Sequence, residues 1–161
     1  MHNQLTQLLL KTGDKLLPIT AFIPFPIQRF TLEKSLNHFF QSAIEDGLFD
    51  LLAQRWLKLS IRDLNLSWCI TLTAHQQLII TQNTCHEVEI KGNWRDFLAL
   101  ASRQEDPDTL FFRRRLQITG DTELGLGVKN LIDSLDPDIL PSWLWHSLQY
   151  LGKQLKAQQA A

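Results

Sequence analysis

Between Leu57 and Lys91 apolar and polar residues alternate through successive short runs, with only turn residues separating them. Leu57, Leu59 and Ile61 alternate with Lys58, Ser60 and Arg62, and Leu66, Trp68, Ile70 and Leu72 with Ser67, Cys69, Thr71 and Thr73. Leu78-Ile79-Ile80 follows the Ala74-His75-Gln76-Gln77 link, and Val88 and Ile90 alternate with Glu87 and Glu89. A period of two sends successive side chains to opposite faces, so each run predicts a strand with one buried face. Strands in direct succession pair mainly antiparallel, whereas a doubly wound sheet needs a helix between strands. The expected fold is therefore α+β, with a largely antiparallel or mixed sheet covered by helices.

The helical segments flank this block. Leu32, Leu36, Phe39, Phe40, Ala43 and Ile44 form one stripe at helical spacing, with Thr31 as the expected cap, Glu33 in the first turn and Gly47 as the stop. Asn93 followed by Asp96 predicts a capped helix burying Trp94, Phe97, Leu98 and Ala101. After the Asp106-Pro107-Asp108 turn, Leu116 and Ile118 predict a last strand. From Asp121 a helix carries Leu124, Val128, Leu131, Ile132 and Leu135 on one face, and a final helix carries Trp143, Leu144, Leu148, Leu151 and Leu155. Three regions follow from this reading: an apolar arm over 1–30, a domain over 31–135 and a C-terminal helix over 136–161. The arm contains Phe22, Ile23, Phe25, Ile27 and Phe30 among Pro18, Pro24 and Pro26, which interrupt long helices. Those apolar residues either pack on the domain's own surface or face a membrane or partner.

Composition excludes several classes. The 161-residue chain carries 16 Lys and Arg against 17 Asp and Glu, without the basic excess of a nucleic-acid binder. Cys69 and Cys85 are too far apart for a CxxC site, and two reduced thiols are favoured over a disulfide. Neither a secretory signal nor an apolar run of about 20 residues occurs, so the protein is expected in the cytoplasm, with peripheral membrane contact the alternative. His2, His38, His75, His86 and His146 have no metal-ligand spacing. Gly120, Gly125 and Gly127 form neither a GxGxxG nor a Walker loop. Packing or a cavity explains them better: Gly125 shares a helical face with Val128 and Ile132, where a missing side chain lets the helix approach the sheet or leaves room for a ligand. Arg113-Arg114-Arg115 reads as a solvated run, or as a site for lipid phosphates or an acidic partner. No nucleophile, base and oxyanion donor assemble, so no catalytic residue, metal or cofactor is expected.

Several segments carry a family resemblance: the helix of Leu36 to Ile44, the strands through Trp68 and Leu78 to Thr81, and the long run from Asp106 through Phe111-Phe112-Arg113-Arg114-Arg115 to Gly125 and Asp133. They resemble the sterol carrier protein type-2 domain. Arg55-Trp56-Leu57, Arg62-Asp63-Leu64-Asn65-Leu66-Ser67-Trp68 and the run from Asp106 to Asp133 are similar to its ubiquinone-biosynthesis branch. The resemblance covers roughly residues 30 to 135. It implies a non-catalytic accessory factor in oxygen-independent ubiquinone synthesis that binds prenylated quinone intermediates in an apolar cavity. It also implies work beside the UbiU and UbiV hydroxylation proteins, whose iron–sulfur clusters are their own.

The expected cavity lining is Phe39, Phe40, Ile61, Trp68, Ile70, Leu78, Ile80, Leu116, Ile118, Leu124, Val128 and Leu131, each equally at home in a filled core. Phe22, Ile23, Phe25, Ile27 and Phe30 are the expected membrane or partner surface. Two alternatives stay open: a general phospholipid or fatty-acyl carrier, and an interaction scaffold with a dry core. Extra aromatics on the last helix, Trp145 and Tyr150, raise the expectation that it is covered on more than one side, by the N-terminal arm or by a second subunit in a homodimer.

Overall fold

A computed structural model describes residues 22–82 and 86–160. The first described α-helix, α1 (Phe25–Phe39), starts six residues before the expected cap Thr31, and the prolines are the reason. Pro24 is the residue before the helix and Pro26 lies in its first turn, where a missing amide costs nothing and a fixed φ is already helical. Thr31 and Glu33 thus lie within the helix rather than at its start. The chain breaks at Phe40 into a short helix, α2 (Gln41–Glu45), and Gly47 (φ +78°) turns the backbone out of it. Residues 1–21 and 83–85, which include part of the expected arm and Cys85, lie outside the described residues.

The strands are β1 (Leu57–Ile61), β2 (Leu66–Leu72), β3 (Leu78–Thr81), β4 (Val88–Gly92) and β5 (Gln117–Gly120), in the order β3-β2-β1-β4-β5. Among these strands β1 and β4 pair parallel, and the β1–β2, β2–β3 and β4–β5 pairs are antiparallel. The helices α3 (Trp94–Ala101), α4 (Pro107–Phe112), α5 (Thr122–Ser134) and α6 (Ser142–Ala160) complete the α+β fold. All four fall after β4, so the parallel β1–β4 pair is connected through β2 and β3 rather than through a crossover α-helix.

Register divides the sheet into two chemically different faces. Leu57, Leu59 and Ile61 stand opposite Ile70, Trp68 and Leu66, and beside Val88, Ile90 and Gly92. Ile80 and Leu78 extend that apolar face to one edge and Ile118 to the other. Against it pack α1, α2 and α5, enclosing a core of Ala43, Ile44, Leu52, Leu57, Leu72, Leu78, Val88, Ile90, Leu124, Val128 and Leu131. The opposite face carries Lys58, Ser60, Glu89 and Lys91. There the Glu89 carboxylate accepts from the Ser60 hydroxyl at 2.6 Å and pairs with Lys91 and Lys58. Burial opposes ionisation of Glu89, but those donors outweigh it and hold its pKa below the ordinary glutamate value.

Local chemistry fixes the joints. Asp106 and Asp121 accept from the amides of Thr109 and Leu124 and so cap α4 and α5. Asn93 and Asp96 form the expected capping box on α3. The buried side of α3 differs from expectation: Asp96 and Ala99 are buried, while Ala101 is exposed. The cause is tertiary. Arg115 donates to Asp96 at 2.7 Å and to Glu105 at 2.5 Å, and Gly152 of α6 lies where a Cβ would be 2.6 Å from Ser102 Cβ. Arg115 therefore leaves the solvated run in which the sequence placed it. Desolvation opposes its charge, but the two carboxylates raise its pKa further. On α6, Trp143 is exposed whereas Leu155 is buried.

Candidate functional site

The apolar face is not fully covered. Where α1 crosses the far end of the β1–β2 hairpin, a groove of about 350 Å³ opens between Ile23, Ile27, Gln28, Thr31 and Leu32 and the opposing Ile61, Leu64, Leu66 and Trp68. α1 packs along β3, and its first turns reach the β1–β2 hairpin only through the Trp68–Gln28 hydrogen bond and the groove-lining side chains.

Two of the polar side chains at the groove, Gln28 and Trp68, are already hydrogen-bonded. The Trp68 indole N–H donates to Gln28 Oε1 at 3.0 Å, and the Gln28 amide donates to the Ile23 carbonyl at 2.7 Å. Burial of a hydrogen-bonded polar group costs little, so these bonds leave walls that present hydrocarbon. Such walls shelter an apolar chain and offer little to select a headgroup. No group of three or more His, Cys, Asp or Glu able to hold a metal occurs among the described residues.

The rim is as apolar as the interior. Phe22 is 83% exposed, Phe30 68% and Ile27 57%, with Ile23 also exposed and Phe25 half-buried. The Phe22, Ile23, Phe25, Ile27 and Phe30 set is thus gathered at the first turns of α1 and beside the groove. The exposed members of this set form an apolar patch on the surface of the described residues.

The expected cavity residues do not surround one void. Leu78, Leu124, Val128 and Leu131 belong to the filled core, with Phe40, Ile70 and Ile118 packed at its boundary. Ile80 and Leu116 are fully buried, and Phe39 is half-buried beside the His38 ring. Ile61 and Trp68 line the groove under α1. Leu116 and Ile118 border a second, more polar groove of about 690 Å³ along β5. Ile23, Ile27, Leu32, Leu64 and Leu66 were not among the expected lining. For Ile23 and Ile27 the signal was the dense apolar content of the proline-broken segment; Leu32 lies further along α1, and Leu64 and Leu66 at the β1–β2 turn, where no local pattern marked a groove.

Residues 33–133 match the SCP-2 sterol transfer family. Over 158 residues, 98% of this chain and 90% of the relative, the sequence is 38% identical to the ubiquinone biosynthesis accessory factor UbiT of Escherichia coli strain K12, and equally to that of Escherichia coli O157:H7. Among solved structures, a ubiquinone synthesis protein described as UbiJ-SCP2 superposes with a TM-score of 0.55 at 18% identity, over 68% of this chain and 97% of its own. At that identity the likeness shows the fold.

Proposed function

The chain belongs to the SCP-2 sterol transfer family, and from that premise we propose that it is a non-catalytic, lipid-binding accessory factor of ubiquinone biosynthesis. Its ligand in this reading is the polyprenyl tail of a quinone intermediate, held in the groove between α1 and the β1–β2 hairpin. Its setting is the oxygen-independent route, beside the UbiU and UbiV hydroxylation proteins, at the cytoplasmic membrane surface. The observation that carries the reading is the pairing of an apolar groove with an apolar rim. The groove shelters a tail, and the rim of Phe22, Ile27 and Phe30 shields the part that extends beyond it.

The energetics suit a carrier. At about 30 Å³ per water-sized group, the groove holds roughly a dozen methylene-sized units. At about 0.8 kcal/mol each, full burial contributes on the order of 10 kcal/mol, and association removes about 4 kcal/mol or more of it. The remainder, about 6 kcal/mol or less, corresponds to binding of tens of micromolar or weaker, loose enough to release the tail.

Native mass spectrometry of gently purified protein tests the ligand. A prenylated quinone precursor travelling with the chain supports the reading; phospholipid or fatty acid alone favours a general carrier, and repeated recovery of bare protein favours a scaffold. Deleting the gene tests the pathway: ubiquinone is expected to fall only in cells grown without oxygen. An equal loss in aerated cells, or no loss in either condition, refutes that setting.

A further inference from the structure

The two edges of the sheet are treated differently. At the β3 edge, side chains of α1 occupy the outward backbone groups. Asn37 accepts from the Leu78 amide and donates to the Leu78 carbonyl, both at 2.8 Å, and Glu33 accepts from the Ile80 amide at 2.8 Å. At the β5 edge no described residue plays this part. The Asp121 amide donates to the Glu87 carbonyl, and Thr119 and Gln117 stand opposite Glu89 and Lys91. Alternation therefore turns the amide and carbonyl groups of Thr119 and Gln117 toward β4, and those of Ile118 and Gly120 away from the sheet. No described residue is hydrogen-bonded to these outward groups.

An open edge is a template for another strand, and proteins usually blunt it with lysine, proline, a bulge or a covering element. Residues Gln117 to Gly120 include no charge and no proline. Instead, the second groove of about 690 Å³ runs along them, with Phe111 and Leu126 on its other walls. Arg114 lies at the groove and Arg113 is its neighbour in sequence; both are exposed, and neither forms an ion pair among the described residues. Lys129, also at the groove, is already paired with Asp108. Unpaired guanidiniums beside an open strand edge favour a ligand that is both extended and anionic.

We infer that β5 is a strand-addition site for an extended, acidic segment of a partner protein. The segment lies along Gln117–Gly120, exchanges backbone hydrogen bonds with Ile118 and Gly120, and sets a carboxylate against Arg113 and Arg114. Its apolar side chains lie against Phe111 and Leu126. The site is separate from the apolar groove under α1, so lipid loading and partner capture can be altered independently.

A random-peptide display library selected against the immobilised full-length protein tests this. The enriched peptides are expected to alternate β-branched residues and to carry Asp or Glu. Binding should slow amide exchange at Ile118 and Gly120 in heteronuclear spectra. The double substitution R113E/R114D should weaken binding about tenfold or more, the scale of a charge-assisted hydrogen bond. Ile118→Pro removes an outward amide that β4 does not use, and should abolish binding. Because that variant also loses packing, the double charge substitution on the exposed turn is the independent control. Overturning results are failure to enrich any peptide, enrichment of peptides without acidic residues, or unchanged binding by R113E/R114D. Concentration-dependent self-association lost in Ile118→Pro would make a second copy of this chain the occupant, and would equally overturn the inference.

Discussion

Replacing Ile27 by aspartate separates lipid binding from folding. Ile27 lines the apolar groove and is 57% exposed, so the folded protein gains little from it, while a bound tail would cover the exposed part. Full burial of an isoleucine side chain is worth about 1.5–3 kcal/mol, so covering that share contributes about 1–2 kcal/mol. A carboxylate in its place must also be partly desolvated without a partner, adding about 1–3 kcal/mol. The sum, about 2–5 kcal/mol, predicts tail affinity lowered by roughly 30-fold to several-thousand-fold. Stability moves little, since position 27 lies in the first turn of α1, where a carboxylate meets the positive end of the helix dipole. The assay is displacement of a fluorescent acyl or prenyl probe, with thermal unfolding recorded alongside. If Ile27→Asp binds the probe as the parent does, while Leu126→Asp on the β5 groove loses it, the tail site has been placed on the wrong side of the molecule.

Three further outcomes follow from the packing. Arg115→Met leaves Asp96 and Glu105 without their counter-charge, and urea unfolding should report a loss of about 2–4 kcal/mol, against about 0.5 kcal/mol or less for Arg113→Gln on the surface. Gly152→Val drives a side chain into Ser102, costing about 1–3 kcal/mol, and Ser102→Gly in the same chain should restore part of it in thermal unfolding. Glu89 is ionised more readily when folded than when unfolded, so its contribution is complete above the unfolded value near 4.3 and fades as pH falls through the lower folded value. Glu89→Gln should therefore destabilise the protein at neutral pH and flatten that acid limb; an unchanged limb removes the assignment.

Apart from the comparison with relatives, local pattern alone carried much of the fold. The alternation through Leu78 and Ile80 and through Val88 and Ile90 puts those residues in the buried face where the sequence placed them. The Asn93–Asp96 box, the Asp121 cap and the Leu124–Val128–Leu131 stripe are equally legible, because each depends on neighbours within one or two turns. Gly125 also holds its expected role: a Cβ there would lie 2.6 Å from Ile118 Cγ2, so the helix sits directly on β5. Gly127 departs from this, since a Cβ there would meet Leu51 at an ordinary 3.6 Å.

The start of α1 was misread because proline both breaks a helix from within and begins one from its first turn, and periodicity does not distinguish the two uses. Tertiary structure alone decided what depends on partners distant in sequence. It drew Arg115 out of its arginine run to meet Asp96, and sent Asn37 across 41 residues to close the β3 edge. It also left Ile118 and Gly120 open at the other edge. The sequence marked most of the apolar side chains that leave water in the sheet and in α5; only the packing of α1 along the sheet decided which of them fill the core and which line a groove.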